Sequence, residues 1–243
     1  EKAKTIVILV PSLYLLSQTH KVYSDVKKLP TLLIGSDVDL ILNDTGLILT
    51  TKEELIEEFI NNNINNEFRV ICTYQSSIKL SNILNKIEYE FDFGIYDEAH
   101  KTVGNINRNF CSLITSKWIK NKLFITATEK IYKDNNEDFC LNECEILSMD
   151  NEKIYGKNIF NYTLKEAIEE NHLVDYKIIV LLIGNSVLKK ILENNNYLNC
   201  FNSNEVESRL LMNAWLIINS FKENNGITHM LSFSNINKNV DLL

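Results

Sequence analysis

The chain has 243 residues, 45% of them apolar, 23% charged and 9% aromatic, with only 7 Gly and 2 Pro. That suffices for one generous domain, or one domain plus part of another, and excludes wholesale disorder and a fibrous or linker-rich chain. A net charge of −7 argues against binding nucleic acid by charge alone, while leaving room for a local groove that follows phosphates. No apolar run approaches the roughly 18 residues that cross a bilayer, so no membrane partner is expected. Five Cys without a C-x-x-C pair suit a reducing compartment. The expected location is intracellular, with cytoplasm, nucleus and viral particle left open. The abundant Asn, clustered at residues 61–66 and 194–196, fits A/T-rich coding carried in loops.

In chain order, short β-branched runs alternate with longer helical stretches, the pattern of an α/β layer structure. Thr5–Val10 (TIVILV) reads as a strand buried on both faces, as parallel sheets require. A loop and helix follow over residues 12–26, with strands over 30–36 and 47–50. A helix over 51–61 carries a start signal, because Thr51 stands three residues before Glu54 in the manner of a capping box. Phe68–Thr73 is a strand, 76–87 a helix, Phe91–Tyr96 a strand ending at acidic residues, and 122–126 another strand. A short helix is expected over 163–171, a strand over 176–183, a polar linker over 184–204 and an amphipathic helix over 205–222. A new strand starts at 228–233, and no repeat of fixed period is visible.

The most informative segment is Ile95-Tyr96-Asp97-Glu98-Ala99-His100, a hydrophobic strand ending in two adjacent carboxylates. In an open parallel sheet, ligands collect beyond the carboxyl ends of the strands. Two neighbouring acids there can divide the labour of nucleotide hydrolysis. One holds Mg²⁺, usually through water because that ion dehydrates reluctantly, and the other orients or deprotonates the attacking water. Two other readings stay open from these residues alone: a solvated acidic turn, or a transition-metal site formed by Asp97, Glu98 and His100. Cys140 and Cys144 could open a zinc site, but no second Cys or His pair lies at suitable spacing. Cys72 falls within a strand and reads as core. The cluster Trp215, Leu216, Ile217 and Ile218 reads as packing surface.

Asp97-Glu98-Ala99-His100 resembles the Walker B box of superfamily 2 helicases, the DEAH/DExH ATPases that couple ATP hydrolysis to movement on DNA or RNA. The neighbours extend the likeness. Val10-Pro11-Ser12-Leu13 through Leu16-Ser17-Gln18-Thr19 resembles motif Ia, and Thr73-Tyr74-Gln75-Ser76 resembles the segment near motif Ib. Phe124-Ile125-Thr126-Ala127-Thr128 matches motif III. Ser148-Met149-Asp150, Ile154-Tyr155-Gly156, Leu164-Lys165-Glu166-Ala167-Ile168 and Leu173-Val174-Asp175-Tyr176-Lys177 are similar to the branch related to restriction-enzyme motor subunits. Met230-Leu231-Ser232-Phe233-Ser234 looks like motif IV.

The resemblance implies a RecA-like parallel sheet flanked by helices, the P-loop NTPase helicase core. Residues 1–183 would be the first such domain, 184–204 a linker and 205–243 the beginning of a second. It implies ATP and Mg²⁺ as nucleotide and metal, and DNA or RNA as partner. Asp97 would hold Mg²⁺–ATP through water and Glu98 would position the attacking water. His100, with Thr126, Ala127 and Thr128, would relay nucleotide state to the nucleic-acid groove. Pro11, Ser12, Gln18, Thr73, Gln75 and Ser76 would line that groove and contact phosphates and sugars, which fixes position without reading sequence. Tyr74 would either stack on a base or sit half-buried at its strand end.

Departures from the pattern set further expectations. No G-x-x-x-x-G-K-[ST] phosphate loop occurs: Gly156-Lys157-Asn158 lacks the hydroxyl, and Asn151 stands where the first Gly belongs. The loop is expected roughly two dozen residues before Glu1, and motifs V and VI, with the arginine finger, beyond residue 243. Glu129 replaces the Pro that commonly follows motif III. The chain therefore reads as a fragment, negligible as an ATPase by itself. Two rival functions are a non-catalytic remnant that binds nucleic acid or a partner, and the motor subunit of a restriction-type nuclease.

Overall fold

The computed structural model describes residues 3–36, 48–105, 109–132, 146–176 and 217–218. Contacts divide the chain into two compact units, Glu1–Asn161 and Tyr162–Leu243. The first is built on a six-stranded sheet. Its strands are β1 (Thr5–Val10), β2 (Thr31–Ile34), β3 (Ile48–Thr50), β4 (Phe68–Thr73), β5 (Phe91–Tyr96) and β7 (Ile119–Phe124), in the order β3-β2-β4-β1-β5-β7. Every pairing in it is parallel. A two-residue antiparallel ribbon joins β6 (Gly104–Asn105) to β8 (Ile146–Leu147).

The side-chain alternation of β1 explains the layers. Val7 and Leu9 enter one apolar cluster, with Phe68, Val70 and Phe91 from the sheet. Helix α2 (Glu53–Asn63) adds Ile56 and Ile60, and α3 (Ser77–Ile87) adds Leu80, Ile83 and Leu84. Ile8 and Val10 point the other way, into a smaller cluster with Leu33, Ile71 and Leu16 of α1 (Leu13–Val26). Successive strand residues point to opposite faces, so a run that is apolar throughout must be covered on both sides, as TIVILV is. The expected α/β class with a parallel sheet and flanking helices is what the chain forms.

Several boundaries differ from the sequence expectation. The capping box at Thr51 and Glu54 does not form: α2 starts at Glu53 with Lys52 at the cap and no side-chain cap bond. Instead Thr50 Oγ1 accepts the Lys52 N–H at 3.0 Å. A reciprocal capping box does form at Thr163 and Glu166, opening α5 (Leu164–Glu169) in the second unit. A 3₁₀ turn at Tyr74–Ser76 precedes α3. Strand β7 begins three residues before the expected 122, because its early positions Lys120 and Asn121 are exposed and carry no apolar signal. The short ribbon and α4 (Glu152–Tyr155) carry no periodicity long enough to read. The expected elements from 177 onward, including the linker over 184–204, the helix over 205–222 and motif IV, lie outside the described residues apart from Ile217 and Ile218, which are helical. Cys140 and Cys144 lie outside them as well.

Candidate nucleotide and nucleic-acid site

Because β1, β4, β5 and β7 run parallel, their carboxyl ends reach one edge of the sheet. Register places Val10 beside Thr73, Leu9 beside Tyr96, and Tyr96 beside Phe124. The residues singled out in the sequence follow directly from these ends: Pro11 and Ser12 after β1, Tyr74 to Ser76 after β4, Asp97 to His100 after β5, and Thr126 to Thr128 after β7. Gln18 lies further along α1, on an exposed position.

The acidic turn is stitched to both neighbouring strands by its backbone. Asp97 N–H donates to Leu9 O at 2.9 Å, Ala99 N–H to Ile125 O at 2.9 Å, and Ile125 N–H to Tyr96 O at 2.9 Å. Between these anchors Glu98 takes a left-handed conformation, φ 50° and ψ 46°, which costs an L-residue roughly 1–2 kcal/mol. Asp97 Oδ1 accepts the Glu98 N–H at 3.0 Å. Both carboxylates remain partly exposed.

His100 joins this turn to the end of β7. Its Nδ1 lies 3.2 Å from Glu98 Oε2 and 2.9 Å from Thr126 Oγ1. The Thr126 hydroxyl donates to Thr128 O at 3.1 Å and accepts the Thr128 N–H at 3.2 Å. A Thr126 hydroxyl whose one proton is engaged by Thr128 O accepts from His100, an arrangement that suits the tautomer with hydrogen on Nδ1. That tautomer also suits the Glu98 carboxylate, an acceptor. The Glu98 carboxylate and the Thr126 hydroxyl thus both face the same His100 nitrogen, and Thr126 in turn bonds to Thr128 in the loop after β7. The turn is braced from beneath by Thr102, whose hydroxyl donates to Ala99 O at 2.6 Å and lies 2.9 Å from the Tyr155 hydroxyl.

The set expected to contact nucleic acid separates into two kinds. Gln18 and Gln75 are exposed, and Ser12 is partly exposed. Gln75 Nε2 donates to Pro11 O at 3.3 Å, tying the ends of β1 and β4 together, while Ser12 Oγ caps α1 by accepting Leu15 N–H at 3.3 Å. Thr73, Tyr74 and Ser76 are buried. Thr73 Oγ1 donates to Ser76 Oγ at 3.2 Å, so those hydroxyls serve the turn itself. Tyr74 is neither half-buried nor available to a base: it is 0% exposed, its ring stacks on Phe110 and its hydroxyl donates to Asp97 O at 2.7 Å. A buried polar tip needs a partner, and here the carbonyl of the acidic turn supplies it. Sequence reasoning missed this contact and the Tyr155–Thr102 brace, since both join residues far apart in the chain.

The transition-metal alternative finds no support among the described residues, where no group of three or more His, Cys, Asp or Glu side chains converges. No helix among them is long and apolar enough to cross a membrane. Cys72 is buried in the sheet, as its position in β4 led us to expect.

No family model matches the chain. A probable helicase of African swine fever virus is 31% identical over 177 residues in a Pretoriuskop tick isolate, covering 71% of this chain and 18% of the viral protein. The homologue from a Kenyan pig isolate is 30% identical over the same length. Among solved structures, a nuclease-deletion mutant of the Type ISP restriction-modification enzyme LlaGI, in complex with a DNA substrate mimic, is 29% identical with a TM-score of 0.58, covering 72% of this chain and 14% of that one. The ATP-dependent Type ISP enzyme LlaBIII bound to DNA is 28% identical with a TM-score of 0.56, covering 73% and 13%. The chain thus spans less than a fifth of each of these relatives. Sequence, sheet topology and structural likeness agree that this is a superfamily 2 helicase-like chain with a RecA-like sheet.

Proposed function

We propose that the intact protein is an ATP-dependent helicase or translocase, in which this chain supplies the acidic half of the ATP site and one wall of the nucleic-acid groove. The observation that carries this is the convergence of Asp97 and Glu98 on the carboxyl edge of the sheet, with Glu98 linked through His100 to Thr126. Asp97 fits a magnesium ion: its Oδ1 is occupied by the Glu98 N–H, leaving one hard carboxylate oxygen, and Mg²⁺ is held by one or two carboxylates, water and substrate phosphates, not by a dedicated protein cage. Such an ion, when bound, would neutralise charge on the nucleotide phosphates.

Glu98 accepts the proton of the attacking water and orients it. His100, donating from Nδ1, fixes the Glu98 carboxylate and senses its occupancy. A change at Glu98 reaches Thr126 and Thr128 through that shared nitrogen, which gives nucleotide state a short path to the loop after β7. Ser12, Gln18 and Gln75 offer neutral donors and acceptors to a sugar–phosphate backbone, consistent with a chain that carries net negative charge. One solved relative is bound to DNA and the other is in complex with a DNA substrate mimic, which favours DNA as the track.

Chain 1–243 alone should hydrolyse ATP negligibly, because it contains no phosphate-loop motif. The intact protein should hydrolyse ATP with stimulation by DNA or RNA, and Glu98→Gln should still bind nucleotide while turnover falls by about 10²–10⁴-fold. Near-normal turnover in that variant would refute the role given to Glu98, and a wild-type protein without turnover would favour a non-catalytic binding remnant. The likeness to Type ISP enzymes supports a second reading, the motor of a restriction-type nuclease. ATP-dependent cleavage of long DNA by the intact protein would distinguish it from a motor without a nuclease.

A further inference from the structure

The Tyr74 phenol is a buried polar group to which the ATPase reading gives no task. Its hydroxyl donates 2.7 Å to the carbonyl of Asp97, and its ring stacks on Phe110 with centroids 5.8 Å apart. Burial foremost, then the neighbouring Tyr96 and Asp97, pushes its pKa up, so it remains a protonated donor at any working pH. The carbonyl it holds belongs to the peptide that joins the two acids. The left-handed φ of Glu98 is one of the two torsions flanking that peptide, so the easiest relief of its strain is a rotation of the peptide plane. The Tyr74 hydroxyl opposes that rotation on the carbonyl side, and Asp97 Oδ1 opposes it on the N–H side.

We propose that Tyr74 is a positioning residue for hydrolysis: by pinning the Asp97–Glu98 peptide, it holds Glu98 left-handed and aims its carboxylate at the water and at His100. The contact also makes the end of β4, next to the exposed Gln75, a mechanical neighbour of the acidic pair. A shift of that end is transmitted to the peptide without passing through His100. This proposal rests on the ATPase reading above.

The test is Tyr74→Phe in the intact protein, which keeps the ring and removes the donor. The kcat for ATP should fall about tenfold, while KM for ATP and Kd for DNA stay within twofold, the pattern of an interaction needed at the reacting geometry and not for binding. In single-turnover measurements on a Glu98→Gln background, Tyr74→Phe should cause no further loss, because the carboxylate it aims is already gone. A purely structural Tyr74 would lower both rates by the same factor, and that result overturns the proposal. So does a folded Tyr74→Phe protein turning over within twofold of wild type. Should Tyr74→Phe not fold, Phe110→Leu, which loosens the ring carrying the hydroxyl, takes its place under the same criteria. An inactive wild-type protein removes the ATPase reading and the proposal together. Active wild type, inactive Glu98→Gln and normal Tyr74→Phe remove the proposal alone.

Discussion

The two edges of the sheet use acidic residues in opposite ways. At the amino edge, Asp92 of β5 spends its carboxylate on the protein: Oδ2 accepts the N–H groups of Lys4 at 2.8 Å and Thr5 at 2.9 Å, and the Thr5 hydroxyl at 3.2 Å. The Asp92 N–H returns a bond to Thr5 Oγ1 at 3.1 Å, closing a small ring between β1 and β5. Partial burial alone would raise its pKa, but these hydrogen bonds outweigh it and hold the carboxyl below its usual range. At the carboxyl edge, Asp97 and Glu98 take little from the protein beyond one N–H and one imidazole, on a backbone held in a costly conformation. The same strand therefore begins with an acid that fastens and ends with acids kept for something else. Strain and partly unspent acceptors at one edge, and a carboxylate oxygen shared by three donors of β1 and its approach at the other, are what separate a site from a staple.

Breaking the two edges separately should affect different observables. The largest effect belongs to Glu98→Gln, which should cut turnover of the intact protein by about 10²–10⁴-fold and leave the thermal midpoint within a degree or two. Next, Thr126→Val removes the hydroxyl that His100 and Thr128 share. Basal ATPase should change little while stimulation by nucleic acid falls roughly tenfold, in line with a typical allosteric coupling energy; unchanged stimulation would show that the signal takes another route.

Gly94→Ala tests the sheet between the edges. A Cβ there would meet Ile119 Cγ2 at 2.8 Å and Tyr96 Cε2 at 3.2 Å, so it should destabilise by about 1–3 kcal/mol, read by denaturant titration. Asp92→Ala should cost a comparable or smaller 1–2 kcal/mol through its lost hydrogen bonds, with nucleotide turnover per folded molecule unaltered. A loss of turnover there would erase the distinction between edges. The smallest effect is on pH dependence. Because the folded Asp92 carboxyl has the lower pKa, its contribution is fully present above the unfolded value near 4 and is lost as pH falls through the folded value. Asp92→Ala should therefore lose stability less steeply on acidification below about pH 4 than the parent.

Strands with apolar runs were legible because their signal is local. TIVILV, FRVICT and FDFGIY each carry enough β-branched or aromatic side chains to specify a buried strand, and β1, β4 and β5 span the residues expected. Strand β7 was half hidden because Lys120 and Asn121 stay exposed at the end of the strand order. The capping box misled at Thr51 because the same residue pattern fits any turn with a free N–H, and Thr50 satisfied Lys52 first. The acidic pair could be found from its place after a strand. The partition of the expected nucleic-acid residues could not, since Thr73 and Ser76 resemble Ser12 and Gln75 in chemistry and differ only in burial.

Sequence alone determined the α/β class, the central strands and the identity of the acids at the end of β5, because hydrophobic period and motif order are properties of neighbouring residues. Only the tertiary structure decided the strand order, the placement of His100 between Glu98 and Thr126, and the transfer of Tyr74 from a base-stacking platform to a brace on the Asp97 carbonyl. The last two depend on contacts between residues 26 and 23 positions apart, and the strand order on pairings as distant as Ile6 with Phe93; their geometry is set by parallel packing and leaves no mark in the local pattern of the chain.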